Sequence, residues 1–554
     1  MNRQVVRIVA GAFLILAACA WIYHPALRGV WLWDDDRDVP LNAVLRDPAG
    51  WWKIWIAPDG VDYFPLKSSV QWIAWQLWHD DVTGYHALNI VLHATSALLA
   101  WRLLTKLGVR LAWFGGLLFA VHPLGVESVA WMAELKNTLS LPLLLLAVCA
   151  WIDFDAGRRR ADYLRALVWF VAALLSKPTV VMLPCVLLLH SWWRRGRVSR
   201  GDVLASAPFF AASLALGLLT IHFQYGRAIG GAVVPIGGPL SRLAGAGLAL
   251  AFYFSKFLLP AGLMPAYPRW AIDPPDASQF VPWVVIVLAF GWFWQKRATW
   301  GRHALLGGGF IVLNLVPVLG LVRMAYLWVA PVADHFAYIS LVGAAGLAAA
   351  SFAELHRRFT PMLRPWAVGA ALGLVALLGW QSHAYAAVFR GPLALWTYGV
   401  DRNPNSPIAH NNLGNALLAT GAVDAAIAHY AEAVRLDPGY VDAYDNLAGG
   451  LVRAGQPREA VLHYEAALRL QPADAIAHTG LGSALADLGS TAAAIAQHEQ
   501  ALALRPDYAE AHNNLGIALM LAGRSAEARV QFEEALRLAP DLAAARINLA
   551  HTRQ

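Results

Sequence analysis

Long apolar runs alternate with short polar segments through the first 390 residues of the chain. A helix that crosses a membrane needs about 20 apolar residues, and several of these runs reach that length. We predict about eleven spans, near residues 5–23, 86–104, 111–124, 137–152, 164–176, 178–193, 203–222, 281–295, 303–321, 335–353 and 366–387. The pattern indicates an all-α fold in which residues 1–390 form a polytopic membrane domain.

The pattern changes near Asp401 to alanine-rich, amphipathic sequence with an internal period. Five prolines recur every thirty-four residues: Pro404, Pro438, Pro472, Pro506 and Pro540. This is the tetratricopeptide period, and it predicts stacked helix pairs over residues 391–554. The full repeats cover 409–442, 443–476, 477–510 and 511–544, and a partial repeat covers 545–554.

Composition agrees with a membrane protein. Hydrophobic residues make up 58% of the chain and charged residues only 14%, whereas soluble proteins carry about 25% charged residues. The net charge of +7 comes from short basic clusters between apolar runs, which is typical of topology determinants, so we expect no nucleic-acid partner. The three cysteines lie within apolar runs and indicate neither a disulfide framework nor a zinc site.

The basic clusters predict the orientation, because cytoplasmic loops are rich in Lys and Arg. With a cytoplasmic N-terminus, the basic clusters lie in alternate loops and all of these are cytoplasmic, provided that Leu243–Leu259 dips into the membrane and returns. If Leu243–Leu259 crosses, the last two clusters lie outside. The first arrangement places the outer loop 24–85 and everything after Arg390 on the non-cytoplasmic face, which we expect to be periplasmic in a bacterial inner membrane. Leu16-Ala-Ala-Cys19 resembles a lipoprotein cleavage box, but Val5–Tyr23 is long enough to span, and we favour an uncleaved anchor.

Three consecutive carboxylates, Asp34, Asp35 and Asp36, follow the first span directly. An acidic turn in solvent is the ordinary explanation for such a triplet. Here the neighbouring residues Trp31 and Trp33 are apolar, and the triplet lies at the predicted outer face of the membrane. Acidic residues at a membrane usually mark function. Carboxylates this close raise each other's pKa unless a cation intervenes, so a divalent cation at this motif is left open.

Further polar residues lie between apolar runs on the same predicted face. They are His122, Glu127, Glu134, Lys136, Lys177, Arg323, Asp334 and His335. A lysine in such a place either extends to water or binds an anion such as a lipid phosphate. No Walker motif, glycine-rich nucleotide loop, HExxH or GxSxG arrangement is present, so a soluble nucleotide-sugar mechanism has no support in the sequence.

One column of asparagines stands out in the repeats: Asn412, Asn446, Asn514 and Asn548, interrupted by Gly480. Such a ladder would hydrogen-bond the backbone of a bound peptide, and solenoid grooves are usually binding surfaces. Packing between repeats is the alternative explanation.

Taken in chain order, these motifs resemble those of one family. The acidic motif in a long first loop, His122-Pro-x-x-x-Glu-Ser-Val-Ala-Trp131, Lys177-Pro178, Asp334-His-Phe-Ala-Tyr338 and C-terminal repeats are similar to the GT-C glycosyltransferases, and especially to the transmembrane and tetratricopeptide-repeat O-mannosyltransferases. The resemblance implies transfer of a sugar, with inversion, from a polyprenyl phosphate to an acceptor, with Asp34 and Asp35 matching the family's acidic pair. One carboxylate would serve as general base and the other would orient a substrate, while Lys136, Lys177 or Arg323 would stabilise the leaving phosphate.

Three functions remain open from the sequence. The acceptor is a protein hydroxyl and the repeats recruit that protein, or the acceptor is an envelope lipid or polysaccharide. In the third interpretation the chain is a non-enzymatic membrane scaffold that displays its repeats.

Overall fold

The computed structural model describes residues 3–56, 60, 62–230 and 234–552, and these contain helices and no strand. The chain divides into two compact units, Met1–Leu395 and Trp396–Gln554. The helices of the first unit, with α18 containing the division, are α1 (Arg3–Tyr23), α2 (Asp35–Asp38), α3 (Ala43–Arg46), α4 (Gly50–Ile56), α5 (Pro65–Trp78), α6 (Val82–Lys106), α7 (Ala112–Val121), α8 (Val126–Ala130), α9 (Leu135–Gly157), α10 (Arg160–Ser176), α11 (Leu183–Arg195), α12 (Arg200–Phe223), α13 (Pro239–Leu258), α14 (Val281–Gln295), α15 (Gly301–Leu315), α16 (Ser340–Arg358), α17 (Arg364–Ala386) and α18 (Pro392–Arg402).

Seven helical segments of the described chain are long and apolar enough to cross a membrane, or eight if a bent pair counts as one span. They are Arg3–Tyr23, Val82–Lys106, Met132–Gly157, Arg200–Ala228, Ala277–Gln295, Gly301–Val318 and Arg364–Arg390. The sequence predicted about eleven. The difference lies partly in α10 and α11, whose 17 and 13 residues extend about 26 and 20 Å, less than a hydrocarbon core of about 30 Å.

The bent pair comprises α7 and the segment Pro123–Ala130, which meet at 58°. Pro123 has no N–H to continue the helix, so carbonyl groups at the end of α7 need other donors. His93 Nε2 lies 3.2 Å from the carbonyl oxygen of Ala120, and the Ser382 hydroxyl donates to that of Val121 at 2.7 Å. Side chains of α6 and α17 therefore stabilise the break, which is followed by the polar segment that contains Glu127.

The segment between α1 and α6 folds into the short helices α2 to α5 around its own apolar cluster, which includes Val39, Leu45, Ile54 and Trp75. Two side chains of α5 fasten the loop to α3: Trp72 Nε1 donates to the carbonyl of Asp47 at 3.0 Å, and Gln76 Nε2 to that of Leu45 at 3.3 Å. Several tryptophans here thus have packing and hydrogen-bonding roles. The acidic triplet is therefore part of a folded segment with its own apolar core.

The second unit is a solenoid of paired antiparallel helices. They are α19 (Pro407–Ala419), α20 (Val423–Leu436), α21 (Val441–Arg453), α22 (Pro457–Leu470), α23 (Ala475–Asp487), α24 (Thr491–Leu504), α25 (Ala509–Leu521), α26 (Ser525–Leu538) and α27 (Ala543–His551). A small residue in the first helix of a pair receives an aromatic ring from the second. A Cβ on Gly414 would lie 2.5 Å from the Tyr430 ring, and one on Gly516 would lie 2.5 Å from the Phe532 ring. Residues 553–554 of the partial repeat lie outside the described residues.

Candidate functional site

The three carboxylates of the triplet have three different surroundings. Asp34 is exposed and precedes the first turn of α2, Asp35 is fully buried, and Asp36 is exposed. Although solvent reaches Asp34, the atoms crowded around it remove part of its water. This desolvation raises the pKa of Asp34 to about 6 against the opposing effect of the Lys136 ammonium. Asp34 is therefore a carboxylate that gains and loses a proton near neutral pH.

Asp35 links two loops. Its Oδ2 accepts a hydrogen bond from the Leu32 N–H at 2.8 Å, and its Oδ1 accepts one from the Ala133 N–H at 2.7 Å. Burial, together with the charge of Asp34, raises the pKa of Asp35 well above its usual range. Because both oxygens are committed to the backbone, Asp35 holds the loops together and is not directed toward a substrate.

The residue before Asp34 has an unusual backbone conformation. Trp33 has a φ of +50°, which costs a residue other than glycine about 1–2 kcal/mol. Its ring stacks on that of Trp131, with centroids 5.3 Å apart and planes within 7°. Asp35 bonds the backbone on both sides of this ring pair, at Leu32 and Ala133. The stack and the two hydrogen bonds stabilise the turn that positions Asp34.

A buried cluster of charged side chains lies at the start of α9. The Glu134 carboxylate, 1% exposed, pairs with Lys136 at 3.0 Å and lies 3.6 Å from the Lys177 ammonium. Lys177 also donates to the Asn137 side-chain carbonyl at 2.6 Å. Lys136 and Lys177 thus converge on one carboxylate, although 41 residues separate them in the chain.

His335 and Glu127 form the other side of this cluster. The Glu127 carboxylate accepts a hydrogen bond from the His335 main-chain N–H at 3.0 Å and contacts the ring Nδ1 at 3.0 Å. The other ring nitrogen lies 3.9 Å from Glu134. Asn137 contacts the main-chain carbonyl of His335 at 3.3 Å. The loop before α9 and the turn before α16 are joined here by buried polar groups, which are costly unless they are paired.

Four residues of this region were not predicted as site residues from the sequence: Asp38, Lys67, Gln71 and Asn137. Lys67 Nζ lies 2.6 Å from both oxygens of Asp38, and Gln71 Nε2 donates to the same carboxylate at 2.9 Å. Burial alone would raise the pKa of Asp38, but the Lys67 ammonium holds that pKa below the usual value of an aspartate. Spacing contained the signal, since Asp38 follows Asp34 by four residues and Gln71 follows Lys67 by four, which places each pair on one helix face.

Three candidate residues form no ion pair with the cluster among the described residues. His122 accepts a hydrogen bond from the Leu124 N–H at 3.2 Å and contacts the Phe257 carbonyl at 3.3 Å, so it caps the break after α7. Asp334 accepts hydrogen bonds from the tyrosines at 267 and 385, and burial, together with the nearby Glu127, raises its pKa. Arg323 is exposed and has no ion pair within the described part of the chain. The contacts of these residues indicate a role in stabilising the surrounding fold more directly than a role in phosphate binding.

The acidic triplet and its neighbours carry side chains of the types that ligate metal ions. Within the described ranges, no three His, Cys, Asp or Glu side chains are grouped as metal ligands. Both oxygens of Asp35 bond backbone N–H groups, while Asp34 and Asp36 are exposed. A divalent cation at the triplet remains a prediction of the sequence.

The asparagine column of the solenoid makes contacts within the solenoid. Asn446 donates to Asn411 at 2.9 Å, Asn514 to Ser483 at 3.2 Å and Asn548 to Asn513 at 2.9 Å. Each contact joins neighbouring repeats, which agrees with the packing alternative. Asn412 has the corresponding partly buried position in the first repeat. An amide has four hydrogen-bonding positions, so these contacts leave groups of the column available to a peptide.

Comparison with known proteins identifies the repeats. Families described as "Tetratricopeptide repeat" match residues 389–441, 447–500 and 509–542, and one described as "TPR repeat" matches 482–523. Similar solved structures include YrrB, a TPR protein with an unusual peptide-binding site (22% identity, 28% of this chain, 80% of that one, TM-score 0.25). Another is TTC0263, a thermophilic TPR protein of Thermus thermophilus (27% identity, 33% of this chain, 94% of that one, TM-score 0.27).

Two curated relatives match much more of the chain. One is Protein O-mannosyl-transferase F38B6.6 of Caenorhabditis elegans, 23% identical over 458 residues, which are 77% of this chain and 63% of that protein. The other is Protein O-mannosyl-transferase TMTC1 of Homo sapiens, 24% identical over 405 residues, which are 64% of this chain and 46% of that protein. The chain spans less than two thirds of the length of either relative. These two matches confirm the resemblance to O-mannosyltransferases that the motifs predicted.

Proposed function

We propose that this chain, which is similar to protein O-mannosyl-transferases over most of its length, is a membrane glycosyltransferase that acts on protein hydroxyl groups. The observation that carries the proposal is the position of Asp34. It is a solvent-accessible carboxylate with a raised pKa beside the cluster of Glu134, Lys136, Lys177 and His335. A general base is most effective when its pKa lies near the working pH.

The proposed donor is a sugar linked to a polyprenyl phosphate. Asp34 takes the proton of the acceptor hydroxyl as its oxygen attacks C1 of the sugar. The bond from C1 to the phosphate oxygen breaks, and the electron pair leaves with the lipid phosphate. A single displacement of this kind inverts the configuration at C1. Lys136 and Lys177 stabilise the charge that develops on the phosphate, as preorganised cations do in other transfer reactions.

The structure supports different roles for the remaining carboxylates. Asp35 positions Asp34 through the backbone of both loops, and Asp38 adds negative charge near Asp34 that is balanced by Lys67. Asp36 has no proposed role in the chemistry, because its exposed side chain makes no hydrogen bond or ion pair within the described residues. Of the acidic pair expected from the sequence, Asp34 is thus proposed as the base and Asp35 as a positioning residue.

The repeats are proposed to recruit the acceptor protein. Tetratricopeptide solenoids present extended concave surfaces for binding, and the second unit is built from four such helix pairs and a partial one. The proposed topology places residues after Arg390 on the same face as Asp34. A topology reporter fused after Arg390 tests this: a cytoplasmic signal would separate the repeats from the acidic site and exclude recruitment.

The central experiment measures sugar transfer by the purified full chain in lipid nanodiscs. Mannosyl phosphoryl polyprenol and serine- and threonine-containing peptides serve as substrates, and mass spectrometry detects the glycopeptide. We expect transfer by the wild type and by Asp36→Asn, and transfer that is slower by about 10²–10⁴-fold by Asp34→Asn. Equal transfer by all three proteins would exclude the assignment of Asp34. Glycolipid product without glycopeptide would redirect the proposal to a lipid acceptor.

A further inference from the structure

An apolar cavity of about 350 Å³ lies within the first unit, among α6, α9, α11, α15 and α16. Leu104, Val148, Leu306, Phe310 and Val342 are typical of its walls. Its volume lies at the lower end of the range for small-molecule sites, which is about 300–1,000 Å³. Apolar walls of this kind favour an apolar occupant.

This cavity and the acidic site lie at opposite ends of the same helices. On α9, Lys136 belongs to the charged cluster and Ile152 to the cavity, and a rise of 1.5 Å per residue separates them by about 24 Å. On α6, the polar residue Asn89 bonds the Trp131 carbonyl near one end, and Leu104 lines the cavity near the other. The cavity is therefore separate from the proposed catalytic site.

Its walls are not uniformly apolar. His190 is 5% exposed and lines the cavity, and its Nδ1 has no hydrogen-bond partner among the described residues. Trp193 Nε1 donates to His303 Nδ1 at 3.1 Å, and both residues belong to the lining. A tryptophan in such a place is typical of the boundary between hydrocarbon and water.

The charged residues of the lining favour an anion. Arg110 is exposed and forms no ion pair within the described ranges. The one carboxylate of the lining, Glu354, is paired with Arg357 at 2.8 Å and with Arg358 at 2.9 Å. The lining therefore combines an arginine without an ion pair, Arg110, with a carboxylate, Glu354, whose charge is balanced by arginines.

We propose that this cavity binds a lipid with a phosphate headgroup, whose apolar chain fills the cavity while Arg110 contacts the phosphate. Walls from three candidate spans place the cavity among membrane lipids, and basic pockets between membrane helices are known to hold anionic headgroups. A glycerophospholipid and a polyprenyl phosphate share this chemistry. The site requires no catalysis at Asp34.

Native mass spectrometry of the full chain tests the proposal. The protein is exchanged into detergent and titrated separately with dioleoylphosphatidylglycerol, dioleoylphosphatidylcholine and undecaprenyl phosphate. We expect one tight equivalent of an anionic lipid, and the first and third titrations identify which source it comes from. Equal affinity for the zwitterionic phosphatidylcholine would overturn the headgroup assignment.

Matched variants locate the binding. Ala350 and Ala353 line the cavity, whereas Ala348 is exposed on the same helix. Ala350→Phe, or the milder Ala353→Leu, fills the space and should abolish the tight equivalent, while Ala348→Phe should retain it. Arg110→Gln should weaken anionic-lipid binding about fivefold.

Melting temperature and size-exclusion profile show which variants are folded. Retention of the tight equivalent by a folded cavity-filled variant would overturn the site. Asp34→Asn should keep the lipid, which separates this proposal from the proposed catalytic function.

Discussion

The Asp35 carboxylate accepts a hydrogen bond from the Ala133 N–H at 2.7 Å, across 98 residues of sequence. This contact joins the acidic turn to the segment that carries Glu134 and Lys136. The other oxygen of Asp35 bonds the Leu32 N–H, so the carboxylate cannot leave one loop without weakening both. The position of Asp34 relative to the charged cluster depends on this residue.

Asp35→Asn should therefore lower stability as well as activity. An amide places a donor where a backbone N–H also donates, and leaving a buried group unsatisfied costs about 1–3 kcal/mol. Thermal unfolding in detergent measures the loss. Asp36→Asn, a change of the same size on the exposed neighbour, should unfold at the wild-type temperature; equal melting of both variants would contradict the linking role.

Asp34→Asn should separate activity from stability. Loss of a general base lowers the rate about 10²–10⁴-fold. The pKa of Asp34 is raised to about 6 in the folded chain, so its contribution to stability is full below the ordinary value near 3.8 and is lost as pH rises through about 6. The uncharged variant should thus melt at a slightly higher temperature than wild type at pH 7. A lower melting temperature would indicate a supporting role for the charge.

The rate of transfer should depend on pH through the same carboxylate. A general base must be ionised to accept a proton. The kcat/KM for the acceptor peptide should therefore fall as pH decreases through about 6 and level off above that pH. Transfer measured between pH 4.5 and 8 with saturating lipid donor gives the profile. In Asp38→Asn, one nearby negative charge is removed, and the midpoint should move to lower pH. A midpoint that stays fixed in this variant would assign the titration to another group.

Lys177→Met should impair use of the donor. The variant removes one cation from the proposed leaving-group site and leaves Glu134 with fewer partners, so a fall in kcat with the lipid donor is expected. Lys53→Met is the matched control, because Lys53 forms a partly exposed pair with Asp47 in the same unit. Transfer assays and melting temperatures should be measured together, since a buried carboxylate that loses its partner also destabilises the fold.

In the solenoid, Gly480→Ala should be destabilising. A Cβ at this position would lie 2.3 Å from the Tyr464 ring, and overpacking of this kind costs about 1–3 kcal/mol. At this interruption of the asparagine column, the absence of a side chain leaves room for the Tyr464 ring. Gly449→Ala is the control, because its Cβ would lie 3.6 Å from the Tyr464 hydroxyl and alanine favours a helix. Chemical unfolding of the full chain, followed by circular dichroism, compares the two.

The sequence by itself determined the class of the fold and the region of the site. Apolar runs of spanning length and a thirty-four-residue period follow from local physical requirements: a backbone in lipid must satisfy its own hydrogen bonds, and a repeat must bury its seam against the next. Lys136 and Glu134 were already close in sequence, and Lys177 stood out as a lysine between apolar runs. Such patterns need no knowledge of the tertiary fold.

Only the tertiary structure decided what each polar residue does. Asp34 and Asp35 are neighbours with identical side chains, yet one is open to solvent and the other bonds the Ala133 backbone. Lys67 and Asp38, 29 residues apart, form a 2.6 Å ion pair, whereas Arg323, which the sequence grouped with the cluster, is exposed and forms no ion pair within the described residues. Burial and hydrogen bonding arise from contacts between distant segments, so the spacing of charges along the chain does not specify which carboxylate is free to accept a proton.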